Sequence, residues 1–374
     1  MSFTPDDHRF MARALRLARR GLYTTDPNPR VGCVLVRDGE VVGEGWHRKA
    51  GEPHAERIAL AEAGERARGS TAYVTLEPCC HQGRTPPCTQ GLVEAGVARV
   101  VAAMEDPNPL VAGKGLARLR EEGIVTEVGL MADAAAELNK GFVKRMTQGR
   151  PWVRCKLAMS LDGRTAMASG ESQWITGEAA RRDVQRLRAR SSAIVTGIGT
   201  VLADNPSLNV RLAPEALPGV AEVGEVRQPV RVVLDSALRM PLDAKLLSLP
   251  GRTWIFHAHG DPAKARRLAS HRVEVIALPQ GLDLPLVMSE LGRREINEVL
   301  IEAGPTLAGA ALRGGIIDEL VIYMAPHVMG HGARGLFHLP GLETMAQRLP
   351  LRIDQIRAVG EDWRILARPV AGSA

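Results

Sequence analysis

Two short segments constrain this chain more than anything else in it: His54-Ala55-Glu56, and Pro78-Cys79 followed by Cys88. An imidazole and two thiolates are donors that zinc takes in sites with three protein ligands and a fourth position open to water, whose pKa the metal lowers towards neutrality. Any fold of this sequence that binds such an ion must carry those donors from separate segments to one point. Five cysteines are an odd number, and Cys79, Cys80 and Cys88 crowd together beside His81, which favours metal over disulfides.

Glu56 sits two residues after the histidine, where a carboxylate can move a proton from the activated water to a leaving amine. His-x-Glu followed by Pro-Cys-x-x-Cys is the signature of zinc deaminases. Here the two cysteines enclose eight residues instead of two. The insertion is expected to form a loop over the pocket, in which Arg84 either meets a substrate phosphate or carbonyl or stays solvated. Neighbouring residues point apart, so Cys79 is taken as the ligand and Cys80 is not. Cys33 and Cys155 lie in apolar runs and are expected to be small buried hydrophobes, and His81 a polar loop residue. Asn28, before the first strand, either bonds a pyrimidine edge or holds a turn. A purely structural zinc site would be closed by four ligands and would not need Glu56.

The length of 374 residues exceeds what one core usually serves and predicts two domains. Apolar runs at 31–36 and 41–46 flank Asp38-Gly39 and predict a hairpin. A helix over 54–68, a strand over 71–76 and then helix 89–95, strand 99–104, helix 115–122 and strand 124–128 predict a layered α/β domain. A helix over 132–146 runs into the linker 147–151, with the boundary near 148, so the domains are expected at 1–147 and 148–374. The second is expected to be α/β as well, with strands at 152–157, 193–196, 230–234, 253–257, 273–277, 298–302 and 320–325 and a helix over 177–189. Residues 214–229 have no clear periodicity and are expected to be a surface loop.

Forty-eight Lys and Arg against 42 Asp and Glu leave a net charge of +6, too mild and scattered to indicate nucleic acid. The basic run Arg181, Arg182, Arg186, Arg188, Arg190 has helical spacing and suits a solvated face. No segment has the apolar core of a signal peptide or the ~18 apolar residues of a membrane span, so a cytoplasmic protein without membrane or nucleic-acid partners is expected. A deaminase acting on bases in nucleic acid and a zinc protein without turnover are the rival readings.

Taken together, residues 27–33, 51–56 and 75–88, with Lys156-Leu157-Ala158-Met159-Ser160-Leu161-Asp162-Gly163, Ser169-Gly170-Glu171-Ser172-Gln173-Trp174, Asp204-Asn205-Pro206 and Glu302-Ala303-Gly304-Pro305-Thr306-Leu307, resemble the bifunctional deaminase/reductase family of riboflavin biosynthesis over almost the whole chain. The eight-residue gap between the cysteines is part of that resemblance. It implies a cytidine-deaminase-like three-layer domain followed by a dihydrofolate-reductase-like domain that uses NADPH. His54, Cys79 and Cys88 would hold zinc and Glu56 would shuttle the proton. The cofactor would meet Ala158, Trp174, Thr200, Asp204, Ser236 and the turn Gly304, Pro305, Thr306, Leu307, Ala308, Gly309, Ala310. A phosphorylated pyrimidine would meet Ser172, Arg188, Leu208, Arg211 and Glu302, and the assembly would be a homo-oligomer. A turn such as Gly304-Pro305-Thr306 between strand and helix suits an anion, because free N–H groups and the helix dipole favour phosphate. Gly197-Ile198-Gly199 lacks the third glycine of the dinucleotide fingerprint, so a Rossmann site is not expected. Lys156 either serves near the reacting sugar or pairs with an acid.

Overall fold

In β1 (Gly32–Arg37) Cys33 and Leu35 face one way, Val34 and Val36 the other, and all four are buried. A strand apolar on both faces belongs between two covering layers. The computed structural model, which describes residues 3–81 and 86–370, places it there. β2 (Glu40–Trp46) and β3 (Thr71–Val74) flank β1 antiparallel, and β4 (Arg99–Ala102) and β5 (Val125–Val128) continue in parallel, giving the order β2-β1-β3-β4-β5. Asp38 and Gly39 both have positive φ (52° and 81°), as the two-residue hairpin turn requires. α1 (Pro5–Arg20) lays Phe10, Met11 and Ala14 on the Val34 face. α2 (Ala55–Ala63), α3 (Cys88–Glu94) and α4 (Lys114–Glu121) cover the Cys33 face.

Three features of this unit differ from the expectations. α1 precedes every expected element; it starts at a capping box in which the Thr4 hydroxyl accepts from the Asp7 N–H (3.1 Å) and Asp7 accepts from the Thr4 N–H (2.8 Å). The single helix expected over 132–146 is two, α5 (Ala132–Leu138) and α6 (Lys140–Gln148). Asn139 breaks it because its buried amide pairs with the backbone of Arg30, accepting from the N–H at 2.8 Å and donating to the carbonyl at 3.0 Å. Residues 213–226 pack into this compact unit, with Leu217 and Val220 buried, and are not a loop on its surface.

The second compact unit, 150–212 with 227–374, is built on a nine-stranded sheet. Its strands are β6 (Trp152–Ser160), β8 (Ala193–Gly197), β9 (Val230–Leu234), β10 (Thr253–His257), β11 (Val273–Ala277), β12 (Glu298–Glu302), β13 (Glu319–Ala325), β15 (Leu351–Val359) and β16 (Asp362–Pro369), in the order β11-β10-β9-β8-β12-β6-β13-β16-β15. β7 (Arg164–Ala166) and β14 (Arg334–Gly335) form a separate pair. Pairing is parallel from β11 to β13 and antiparallel at β16 and β15. The short α9 (Val220–Val223) belongs to the first unit; here α7 (Glu178–Arg190), α8 (Ile198–Asp204), α10 (Lys245–Ser248) and α11 (Pro262–Leu268) cover one face, and α12 (Leu284–Arg293) and α13 (Pro305–Arg313) cover the other. Arg154 crosses the centre of the sheet fully buried, paired with Glu298 and, at 2.7 Å, with Glu319.

Candidate active sites

Pro53 ends an extended segment, and the chain turns into α2 with His54 at the N-cap position, so the imidazole stands at a helix N-terminus. Cys79 lies in the loop after β3, and Cys88 opens α3. His54 Nδ1 is 3.6 Å from Cys79 Sγ and 3.3 Å from Cys88 Sγ, and the three donor atoms lie within 4.8 Å of one another. Donors bound to a tetrahedral zinc at ~2.0–2.3 Å stand about 3.5–3.8 Å apart, so the cluster fits the ion. Cys88 is buried while His54 and Cys79 are half-buried, so the cluster is not wholly sealed from solvent. A hydrogen bond from the Cys88 thiol and the nearby His54 pull the Cys79 thiol down to about 4 despite its burial, the chemistry of a ligand ready to bind as thiolate.

Glu56 follows in the first turn of α2 and is buried. Burial pushes its carboxyl up to about 7, with the Cys79 charge adding to the effect and His54 opposing it. A carboxyl balanced near neutrality can both take and return a proton. Cys80 turns away into a groove with Thr89, Gln90, Lys114 and Arg118, and Cys33 and Cys155 are fully buried in the two cores, as their apolar contexts predicted. Arg84 lies outside the described residues.

Two further residues shape the site. Glu77 is buried and accepts four backbone N–H bonds, from Asp106 (3.0 Å), Gly113 (2.9 Å), Gly115 (2.8 Å) and Leu116 (3.1 Å), tying the segment before Cys79 to the start of α4. His47, also buried, bonds the Pro53 carbonyl through Nδ1 (3.2 Å) and the Asn28 amide through Nε2 (3.0 Å), with its ring edge-on to His54. Neither carries a spacing signature. Of the two roles left open for Asn28 the structure shows the turn, its N–H bonding the Thr25 carbonyl (2.9 Å), while its side-chain amide goes to His47.

In the second unit Arg188 of α7 meets Glu302 at the end of β12 through two bonds, 2.6 and 2.8 Å, and donates to the Asn209 carbonyl at 3.1 Å. Lys156 on β6 pairs in register with Glu302, and no ion pair holds its ammonium among the described residues. Burial pushes that ammonium down, Glu302 partly restores it and Arg188 lowers it again. Leu208 is buried with φ 45°, and Arg211 is exposed, its backbone N–H bonded to Gln185 (2.9 Å). Lys156, Arg188, Arg211 and Glu302 therefore form one electrostatically linked group.

The residues assigned to the cofactor gather less tightly. Ala158 lies on β6, Thr200 and Asp204 on α8, and exposed Ser236 just past β9. Trp174 is 71% exposed, with the Arg181 guanidinium 4.8 Å over its ring, and Ser172 is half-buried nearby in sequence. Gly304 caps α13, and the first-turn N–H groups of Thr306 and Leu307 have no carbonyl one turn back to bond. Nothing stands within 4 Å of where a β-carbon on Gly199 or Gly304 would be, so both leave backbone open to an anionic group. That donor set fits a dinucleotide phosphate. Pro305 and Leu307 are half-buried, and Ala310 is exposed. Ala308 and Gly309 face inward instead: Ala308 is in the core, and a β-carbon on Gly309 would lie 2.2 Å from the His338 carbonyl oxygen.

The three-layer unit with its His/Cys/Cys cluster and buried glutamate defines a zinc-dependent deaminase, joined in one chain to a second α/β unit. Comparison with known proteins gives that second unit its class. Residues 4–104 match the cytidine and deoxycytidylate deaminase zinc-binding region and residues 151–365 the RibD C-terminal domain. The riboflavin biosynthesis protein RibD of Escherichia coli K12 is 54% identical, covering 95% of this chain and 97% of its own length, and that of Haemophilus influenzae is 52% identical, covering 99% of each. Among solved structures, Acinetobacter baumannii RibD superposes with a TM-score of 0.90 at 47% identity, covering 98% of this chain and 99% of its own. A Thermotoga maritima diaminohydroxyphosphoribosylaminopyrimidine deaminase/5-amino-6-(5-phosphoribosylamino)uracil reductase does so with 0.83 at 31% identity and the same coverage. The chain belongs to the RibD family of riboflavin biosynthesis proteins. It is a bifunctional enzyme, a deaminase and then a reductase, with zinc in the first unit and NADPH as the cofactor of the second.

Proposed function

We propose that the first unit deaminates 2,5-diamino-6-(ribosylamino)pyrimidinone 5'-phosphate and that the second reduces the ribosyl side chain of the product to ribityl, giving 5-amino-6-(5-phosphoribitylamino)uracil. The observation that carries the first step is the buried Glu56 beside the converging His54, Cys79 and Cys88. Those three residues would hold zinc, which when bound would supply a water of lowered pKa as the nucleophile. Glu56 takes the proton released in the attack and delivers it to the departing ammonia. Its burial keeps bulk water from competing for that proton.

For the second step NADPH supplies the hydride, and the chain's part is to orient the ribosyl carbon and neutralise charge. Arg188 commits its two-pronged contact to Glu302, so the exposed Arg211, whose guanidinium spends one N–H on Asn209 Oδ1 (2.9 Å), is the cation that meets the substrate phosphate, with Ser172 and Leu208 lining its side. Lys156 stands beside Glu302 as the cation nearest the sugar. The Gly304–Leu307 turn, Trp174, Thr200, Asp204, Ser236 and Ala158 hold the cofactor. A cytoplasmic homo-oligomer acting on small molecules is the setting in which we read the enzyme; no helix among the described residues is long and apolar enough to cross a membrane.

The test is Glu56→Gln. Zinc content is expected to stay at the wild-type level while ammonia release falls by at least about a hundredfold, the loss expected for a proton carrier. Near-normal turnover would overturn the assignment.

A further inference from the structure

Residues 213–226 leave the chain of the second unit between Leu212 and Arg227, yet pack as part of the first. Within that unit Leu217 is 1% and Val220 0% exposed, and Val223 packs on the cluster that contains Phe10 and Trp46. Gly219 (φ 76°) comes so close to α1 that a β-carbon there would lie 2.1 Å from the Arg20 carbonyl oxygen and 3.1 Å from Trp46 Cη2. Glu222 pairs with Arg20, whose guanidinium lies 5.1 Å over the Trp46 ring, and Glu225 pairs with Lys49. The segment thus grips residues 46–49 at both ends, through the close approach to Trp46 and the ion pair to Lys49, while Glu222 holds the Arg20 guanidinium that lies over the Trp46 ring.

His47 lies inside that grip. The Pro53 carbonyl can only accept a hydrogen bond, so the Nδ1 facing it at 3.2 Å carries the proton. The Nε2 of the neutral ring is then an acceptor, and the Asn28 group 3.0 Å away must be the amide NH₂. This fixes the Asn28 amide with Oδ1 turned away from His47, and that oxygen has no hydrogen-bond partner among the described residues. A carbonyl held so, one residue removed from a zinc ligand through the His47–His54 ring contact at 5.2 Å, suits a substrate N–H.

We infer that residues 213–226 are a positioning element of the deaminase pocket, holding Trp46 and His47 so that His47 keeps the Asn28 carbonyl aimed at a pyrimidine N–H. The inference rests on the deaminase reading above. It makes a piece of chain from the second half of the sequence part of the first active site.

The experiment uses the full-length enzyme with residues 217–223 replaced by glycine and serine at equal length, together with Val220→Ala, Val220→Ile and Asn28→Ala. For the replacement, the KM of ammonia release is expected to rise about five- to tenfold, the effect of losing one aligned hydrogen bond, with kcat per bound zinc within about twofold. Val220→Ala should fall between, and the conservative Val220→Ile should retain wild-type KM. Asn28→Ala should raise KM similarly and add nothing further in the replaced background, because both changes remove the same contact. A wild-type KM in the replacement and in Val220→Ala, or a loss of zinc and kcat together at unchanged KM, would overturn the inference. So would additive effects of Asn28→Ala. Failure of the deaminase reading is separate and shows as turnover retained by Glu56→Gln.

Discussion

A β-carbon on Gly115 would lie 2.0 Å from the Pro78 carbonyl oxygen, one residue before Cys79. Any side chain there must push that segment, and the thiolate with it, away from His54 and Cys88. Gly115→Ala is therefore expected to lower zinc content and deamination in proportion while NADPH oxidation on the deaminated intermediate persists; metal analysis with separate assays of the two steps checks this. Glu302 is held by Arg188 below the ordinary carboxylate range although burial pushes the other way. Glu302→Gln removes the anion that two cations share, and the reductase KM for the phosphorylated intermediate should rise by about tenfold or more, since truncating one partner of a buried pair strands the other. Steady-state kinetics at saturating NADPH reads it. His54, Glu56, Cys79 and Cys88 were legible because zinc chemistry demands those residue types at short spacings. His47 and Gly115 were not, because one acts through a hydrogen-bond relay and the other by having no side chain.

At the scale of elements, α1 is fastened by Asp7, which accepts from Tyr73 on β3 and Arg99 on β4, both at 2.7 Å. Burial alone would raise this carboxyl, but bonds from Arg99, the Thr4 backbone and Tyr73 outweigh it and hold it below the usual carboxylate range. A depressed folded-state pKa contributes stability above the unfolded value of ~3.9 and loses it as pH falls through the folded value. Asp7→Asn is thus expected to lower the thermal midpoint by roughly 5 °C at pH 7, with the difference from wild type shrinking below about pH 4. Thermal melts of both proteins across pH measure it. In the second sheet, Arg154 is shared by Glu298 and Glu319 in the core, and Arg154→Leu should cost about 3–5 kcal/mol in urea unfolding because the buried carboxylates lose their common cation. Alternation and helical spacing exposed most strands and helices to a reading of the sequence. The break at Asn139 escaped it, because a mid-helix asparagine stops a helix only when something distant, here the Arg30 backbone, offers it better bonds.

At the scale of the molecule, the two activities use different groups in different compact units. Chelation is expected to abolish ammonia release and leave NADPH oxidation intact when the deaminated intermediate is supplied; simultaneous loss of both would mean that the metal also supports the second unit. By itself the sequence determined the donor set, the proton carrier, the α/β character of both halves and, through resemblance, the family, because each depends on residue type and local spacing. Only the tertiary structure decided that His54, Cys79 and Cys88 meet, that Arg188 spends its fork on Glu302, and that residues 213–226 belong to the first unit. Those facts follow from which distant surfaces bury one another, and burial between segments far apart in the chain leaves no periodic trace along it.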